Sequence, residues 1–283
     1  MPSSCCFLAE ERSCAKLHDP DMRSGVAFEP EASDTPSRAG LEVAGRPSRA
    51  GMTAYKAGDP TTLNRLYGRS VGKPLRAYQQ KLVDELLPRL AIPEKGPLDA
   101  AGLFGKACPL HFEIGFGGGE HLAARASELS GHGFIGAEPF LNGVASALNH
   151  IEERGLKNVR LQHGDALQVL ERLPDASLAA IYLLHPDPWP KARHAKRRMM
   201  NDGPLHLFAR KLVRGGEFRF GTDHPVYLRH ALAVMRRFTD QFDWLARGPS
   251  DWRNRPEDWP ETRYEAKARR NGHEVWYFKY RKL

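Results

Sequence analysis

From residue 109 onward, short apolar runs alternate with amphipathic stretches. PLHFEIGFG predicts a strand ending in glycines, and GEHLAARASEL predicts a helix with apolar positions three and four apart. The same alternation continues. GFIGAEP is a strand and FLNGVASALNHIEERG a helix stopped at Gly155. NVRLQHGD is a strand, and LAAIYLLHPD is a more fully apolar one. GPLHLFARKLVRGG is a helix, GEFRFGTD a strand and HPVYLRHALAVMRRF a helix, and EVWYFKYR closes the chain as a strand. Upstream, AYQQKLVDELLPRL carries Leu82, Val83, Leu86, Leu87 and Leu90 at helical spacing, ended by Pro93. Strands and helices in this order imply right-handed βαβ units and a doubly wound, mostly parallel α/β sheet.

The first 51 residues are unlike the rest. They show no sustained period, are rich in Ser, Pro, Gly, Ala and Glu, and repeat PSRAG at 36–40 and 47–51. Such a composition predicts a disordered extension. Met52 opens MTAYKAGDP and offers an alternative start, with the globular part running over 52–283. The expected organisation is therefore an extension over 1–51 followed by one domain.

Charge sharpens the contrast. The chain carries a formal +8. Residues 1–51 hold six Lys/Arg and eight Asp/Glu, and the remainder holds 36 against 26. The positive charge thus belongs to the part expected to fold, which fits a polyanionic partner. No apolar stretch reaches the roughly 18 residues of a membrane helix, and the N-terminus lacks the pattern of a secretory signal. The four cysteines, Cys5, Cys6, Cys14 and Cys108, match neither a disulfide framework nor a zinc spacing, so a reduced, cytoplasmic setting and no metal site are expected.

In doubly wound sheets ligands bind at the carboxyl ends of the strands. Five successive predicted strands bring an acid there: Glu113, Glu138, Asp165, Asp187 and Asp223. Any one of them alone also suits a helix cap. Gly115, Gly117, Gly118 and Gly119 allow close backbone approach after the first strand. A dinucleotide is disfavoured, because Glu120 takes the third glycine position of G-x-G-x-x-G and would oppose a pyrophosphate. S-adenosylmethionine, a cationic adenosine without phosphate, suits an acidic rim better. Glu138 would then accept from the ribose hydroxyls, Asp165 would lie near the adenine, and the Gly115–Gly117 backbone near the methionine part.

Residues 183–198, LLHPDPWPKARHAKRR, add the most specific chemistry. Pro186 and Pro188 restrict the backbone on both sides of Asp187, so its carboxylate is aimed with little freedom. Trp189 offers a flat face. Lys191, Arg193, Lys196, Arg197 and Arg198 follow within eight positions, alongside His194. Such a run is a solvated face or, beside a cofactor rim, a phosphate-gripping segment. A second basic loop lies at Arg65, Arg69, Lys73 and Arg76. Near the C-terminus, Trp252 and Trp259 are expected to pack over the sheet edge rather than stack on bases. Thr262 and Glu265 have capping-box spacing.

Together the motifs LYGRSVGKPLR, FEIGFGGGEH, IGAEPF, HGDA, PDPWPKARHAKRR, FGTDH and TRYEAKARRNGHEVWYFKY resemble those of bacterial tRNA (guanine-N7-)-methyltransferases over about residues 60–283. The glycine motif is common to many methyltransferases. PDPWPKARHAKRR with TRYE is far more specific. The resemblance implies a seven-stranded, Rossmann-like class I fold and methyl transfer from S-adenosylmethionine to a guanine of the tRNA variable loop. It implies donor contacts at Glu113, Glu138, Asp165 and Asp187, with Asp187 also catalytic, beside the Gly115 and Gly117 backbone contacts already expected. It implies substrate contacts at Lys191, Asp223, Thr262, Arg263, Tyr264 and Glu265, and it suits RNA phosphate contacts at Arg193, Lys196, Arg197 and Arg198. tRNA is then the expected partner of a monomer or homodimer. His185 stands where the family pattern has phenylalanine, and is expected to be packed or hydrogen-bonded. The remaining alternatives are a methyltransferase for a small molecule or protein, a non-enzymatic RNA-binding protein and, least favoured by Glu120, a nicotinamide dehydrogenase.

Overall fold

The computed structural model describes residues 72–283. The 1–51 extension, Met52, Arg65 and Arg69 lie outside the described residues. Seven strands form one sheet: β1 (Leu110–Ile114), β2 (Gly133–Glu138), β3 (Val159–His163), β4 (Leu178–Leu184), β5 (Leu212–Thr222), β6 (Phe242–Trp244) and β7 (Trp276–Lys282). Their order is β3-β2-β1-β4-β5-β7-β6. The first five run parallel, while β7 is antiparallel to both β5 and β6. The chain steps outward from β1 through β2 to β3, then crosses back to lay β4 on the other side of β1. That reversal leaves a crevice between the carboxyl ends of β1 and β4.

The helices are α1 (Ala77–Glu85), α2 (Leu87–Leu90), α3 (Ala100–Phe104), α4 (Glu120–Glu128), α5 (Leu141–Glu153), α6 (Ala166–Arg172), α7 (Asp202–Lys211), α8 (Pro225–Met235), α9 (Ser250–Arg253) and α10 (Arg263–Arg270). Strand periodicity sends alternate side chains to opposite faces. On β1, Leu110, Phe112 and Ile114 join the core shared with α6, α7 and α8. On β4, Ala180, Tyr182 and Leu184 face a second core with Trp259, Ala268 and Tyr277, beneath α10. A third cluster packs Leu82, Leu122, Val144 and Leu148 from α1, α4 and α5 over β2 and β3.

Three details differ from the sequence expectation. The first predicted helix is two, α1 and α2, because Pro88 in the first turn of α2 has no N–H to continue the ladder. The helix predicted through Gly216 ends at Lys211, and β5 begins at once. The β4–β5 register slips between Leu178 and Ala180, and a Cβ on Gly216 would lie 2.9 Å from the Val213 carbonyl oxygen and 3.1 Å from that of Leu178. The two glycines therefore accommodate an irregularity inside the strand. The short elements α3, α6, α9 and β6 had no clear signal of their own. Among the described residues no helix is long and apolar enough to cross a membrane, and no acidic, His or Cys cluster is arranged to hold a metal.

Candidate active site

The crevice opens into a cleft of about 720 Å³. Its floor is the loop after β1. Gly115, Gly117 and Gly119 all have positive φ, at 66°, 54° and 79°, the left-handed region that other residues enter only with strain. Helix α5 approaches this loop so closely that a Cβ on Gly143 would lie 2.4 Å from the Gly117 carbonyl oxygen.

Glu113, Glu138, Asp165 and Asp187 all line the cleft. Glu113 is buried, and His121 Nδ1 lies 2.7 Å from its Oε2. Glu138 is buried as well. Its Oε2 accepts from Gly117 N–H at 2.8 Å and its Oε1 from Phe140 N–H at 2.9 Å, so it also fixes the glycine loop. Burial raises the Glu138 carboxyl, against those two N–H donors. Asp165 caps α6 through the Leu167 N–H, and burial raises its carboxyl too. Asp165 therefore fulfils the capping role while still reaching the cleft.

Asp187 opens to the cleft but is crowded enough that desolvation raises its carboxyl. The turn that carries it is strained on both sides: His185 has φ 48° and Trp189 has φ 42°. Each such residue costs on the order of 1–3 kcal/mol and persists only where its surroundings impose it. Here two clasps do so. His185 N–H donates to the Gly221 carbonyl at 2.8 Å. Arg198 donates from Nε to the Pro188 carbonyl at 3.0 Å and from a terminal nitrogen to the Trp189 carbonyl at 2.9 Å.

That contact corrects one expectation. Arg198 is only 5% exposed and its guanidinium is turned onto the turn's backbone, so it is not positioned for an RNA phosphate. Basic composition alone did not separate it from its neighbours. Residues 192–197 form a short 3₁₀ helix, in which i and i+3 eclipse. Lys191, Arg193 and Lys196 are exposed, and Arg197 lies over the Trp189 ring at 5.0 Å.

The C-terminal segment covers the opposite wall. Thr262 caps α10 by accepting from Glu265 N–H at 3.2 Å. Arg263 forms an ion pair with Glu120, and Tyr264 sits above Gly117. Thr262, Arg263, Tyr264, Lys267 and Arg270 all line the cleft. Glu265 does not. It is fully buried, accepting from the Tyr277 hydroxyl and from Arg269, which places it behind the wall rather than on it. Lys191 and Asp223 also lie outside the lining. Asp223 stands one contact away, 3.9 Å from Nδ1 of the buried His185, and the imidazoles of His185 and then His273 help hold its carboxyl below the usual range. Trp259 is buried in the core under α10 and Trp252 stacks on Phe278, so both pack against the sheet. Sequence reading missed Lys267 and Arg270, although their spacing from Arg263 on a capped helix places all three on one face.

The four acids and the glycine cradle suit a cationic, phosphate-free adenosine donor. The fold and this rim define a class I S-adenosylmethionine-dependent methyltransferase. Residues 107–278 match a family described as "Putative methyltransferase". Curated relatives named tRNA (guanine-N(7)-)-methyltransferase share 70% identity in Erythrobacter litoralis and 58% in Zymomonas mobilis, each match covering the whole relative and 82% of this chain. A third, from Sphingopyxis alaskensis, is 70% identical over 236 residues. The chain belongs to the tRNA (guanine-N(7)-)-methyltransferase family.

Proposed function

We infer that the protein transfers a methyl group from S-adenosylmethionine to N7 of a guanine in the tRNA variable loop. The observation carrying this reading is the convergence of Glu113, Glu138, Asp165 and Asp187 on one cleft whose far wall is basic. When bound, S-adenosylmethionine supplies a methyl group made electrophilic by its sulfonium. Glu138 offers its remaining lone pairs to the ribose hydroxyls, and the Gly115–Gly117 backbone admits the methionine part.

Guanine N7 already carries an exposed lone pair. No proton leaves before it attacks, so the site needs placement rather than a strong base. Asp187 accepts hydrogen bonds from the guanine N1–H and N2–H₂ edge. That edge becomes more acidic as N7 gains the methyl group, and the hydrogen bonds strengthen toward the transition state. Tyr264 and Trp189 border the same space and supply stacking faces for the base. Asp223, held by His185 and His273, and Lys191 act at the mouth of the cleft, where Arg193 and Lys196 meet the RNA backbone. Glu265 contributes from behind, by fixing α10.

The deciding experiment incubates the protein with labelled S-adenosylmethionine and unmodified tRNA, then maps the label. Incorporation at guanine N7 in the variable loop is the expected result. Methylation at another atom, or transfer only to small molecules or protein, would contradict it.

A further inference from the structure

A second concavity, of about 440 Å³, lies where α9, the end of α10 and the start of β7 meet. Arg253, Arg255, Arg269 and His273 converge on it, opposed on its wall by Glu274. Its guanidinium groups are preset. Arg255 Nε lies 3.4 Å and an Arg269 terminal nitrogen 3.0 Å from the same buried oxygen of Glu265. The Arg253 guanidinium carbon lies over the Trp252 ring, 4.9 Å from its centroid. Glu265 thus takes one nitrogen of each of two guanidinium groups, Arg255 also donates to the Trp259 carbonyl at 3.4 Å and Arg269 to the Tyr277 hydroxyl at 3.2 Å, and their side chains remain 36% and 49% exposed. The N–H groups these contacts leave over, with those of Arg253, are preset, charged donors for a phosphate.

Short contacts connect this concavity to the active cleft. His273 Nδ1 is 3.7 Å from one Asp223 oxygen, and His185, two residues before Asp187, is 3.9 Å from the other. We propose that the Arg253–Arg255–Arg269 concavity binds a backbone phosphate of the RNA strand whose guanine enters the cleft, gripping the strand on the side away from the 191–197 run. Glu265 is a positioning residue for this grip. The proposal rests on the reading that the substrate is tRNA.

The test uses the full chain and unmodified tRNA, with binding followed by fluorescence anisotropy between 50 and 200 mM salt. Arg253→Ala/Arg269→Ala is compared with wild type, and S-adenosylhomocysteine affinity is measured by calorimetry. Loss of one phosphate contact should make the log Kd against log salt slope shallower by about 0.7–0.9. It should also weaken tRNA binding by about five- to tenfold at the lowest salt, while S-adenosylhomocysteine affinity holds. Unchanged slope and affinity for tRNA would overturn the site. Should the double variant lose S-adenosylhomocysteine binding through misfolding, Arg253→Ala alone decides by the same criteria, since that side chain does not engage Glu265. A wild type that binds and methylates tRNA while the variants match it overturns this site alone. A wild type that does neither overturns the substrate assignment, and the site with it.

Discussion

At the scale of single residues, the arginine that left the RNA-binding set explains how the site is held. Arg198 is the clasp of the Pro186–Trp189 turn, satisfying two carbonyls next to a strained residue. Hydrogen bonds to charged groups contribute roughly 1.5–3 kcal/mol. Arg198→Ala should therefore lower the unfolding free energy by about that amount in a denaturant titration, and Arg198→Lys should recover little, because an ammonium cannot span both carbonyls with a planar fork. It should leave the salt dependence of tRNA binding as it is. A shallower salt slope with unaltered stability would return Arg198 to the phosphate contacts.

At the scale of elements, most of the sheet was legible because each buried strand is a short apolar run bounded by turn residues. The rim acids were legible because parallel topology sends consecutive strand ends to one side. The direction of β7 was not, since side-chain periodicity is the same in either direction. Nor was β6, three residues long, or α6, whose seven residues hold too few turns to establish a period. Burial of Glu265 was hidden because TRYE reads equally as a cap and as a contact, and the Tyr277 hydroxyl from β7 with the Arg255 and Arg269 guanidinium groups distinguishes them. The packing of α5 on the glycine loop gives an element-level prediction. A Cβ at Gly143 cannot fit against the Gly117 carbonyl, so Gly143→Ala must shift the glycine loop proposed to admit the donor. S-adenosylhomocysteine affinity should fall by on the order of tenfold by calorimetry, with tRNA affinity retained. Equal affinity for both proteins would mean that the loop is not the donor's cradle.

At the scale of the whole molecule, surface charge should set the salt dependence of RNA binding, and a buried histidine should contribute to acid sensitivity. The exposed cations Arg193 and Lys196 should each add to the salt slope of tRNA binding, so Arg193→Ala/Lys196→Ala should reduce it by up to about 1.4–1.8 in total. An unaltered slope would make the run a solvated face. His111 is buried between the Tyr182 hydroxyl, 2.9 Å from Nδ1, and His132, 2.8 Å from Nε2. Burial, with the cationic groups around it, lowers its pKa to about 3. The unfolded chain therefore binds a proton below about 6.5 that the folded protein refuses. Stability is fully present above that pH and declines as pH falls from there toward 3, approaching ~1.4 kcal/mol per pH unit from this group. Denaturant unfolding at pH 7.5 and 5 should show the loss in wild type and a smaller one in His111→Phe. The same dependence in both proteins would remove His111 as its source.

The most direct measurement of the central claim is single-turnover methylation of tRNA by Asp187→Asn, with tRNA affinity determined in parallel. The substitution keeps the shape of the side chain and removes the charge proposed to face the guanine edge. The methylation rate is expected to fall by on the order of a hundredfold or more, a loss of roughly 3 kcal/mol of transition-state stabilisation, while tRNA affinity stays within about twofold. A rate near that of wild type would show that the carboxylate between the two prolines does not place or stabilise the reacting base.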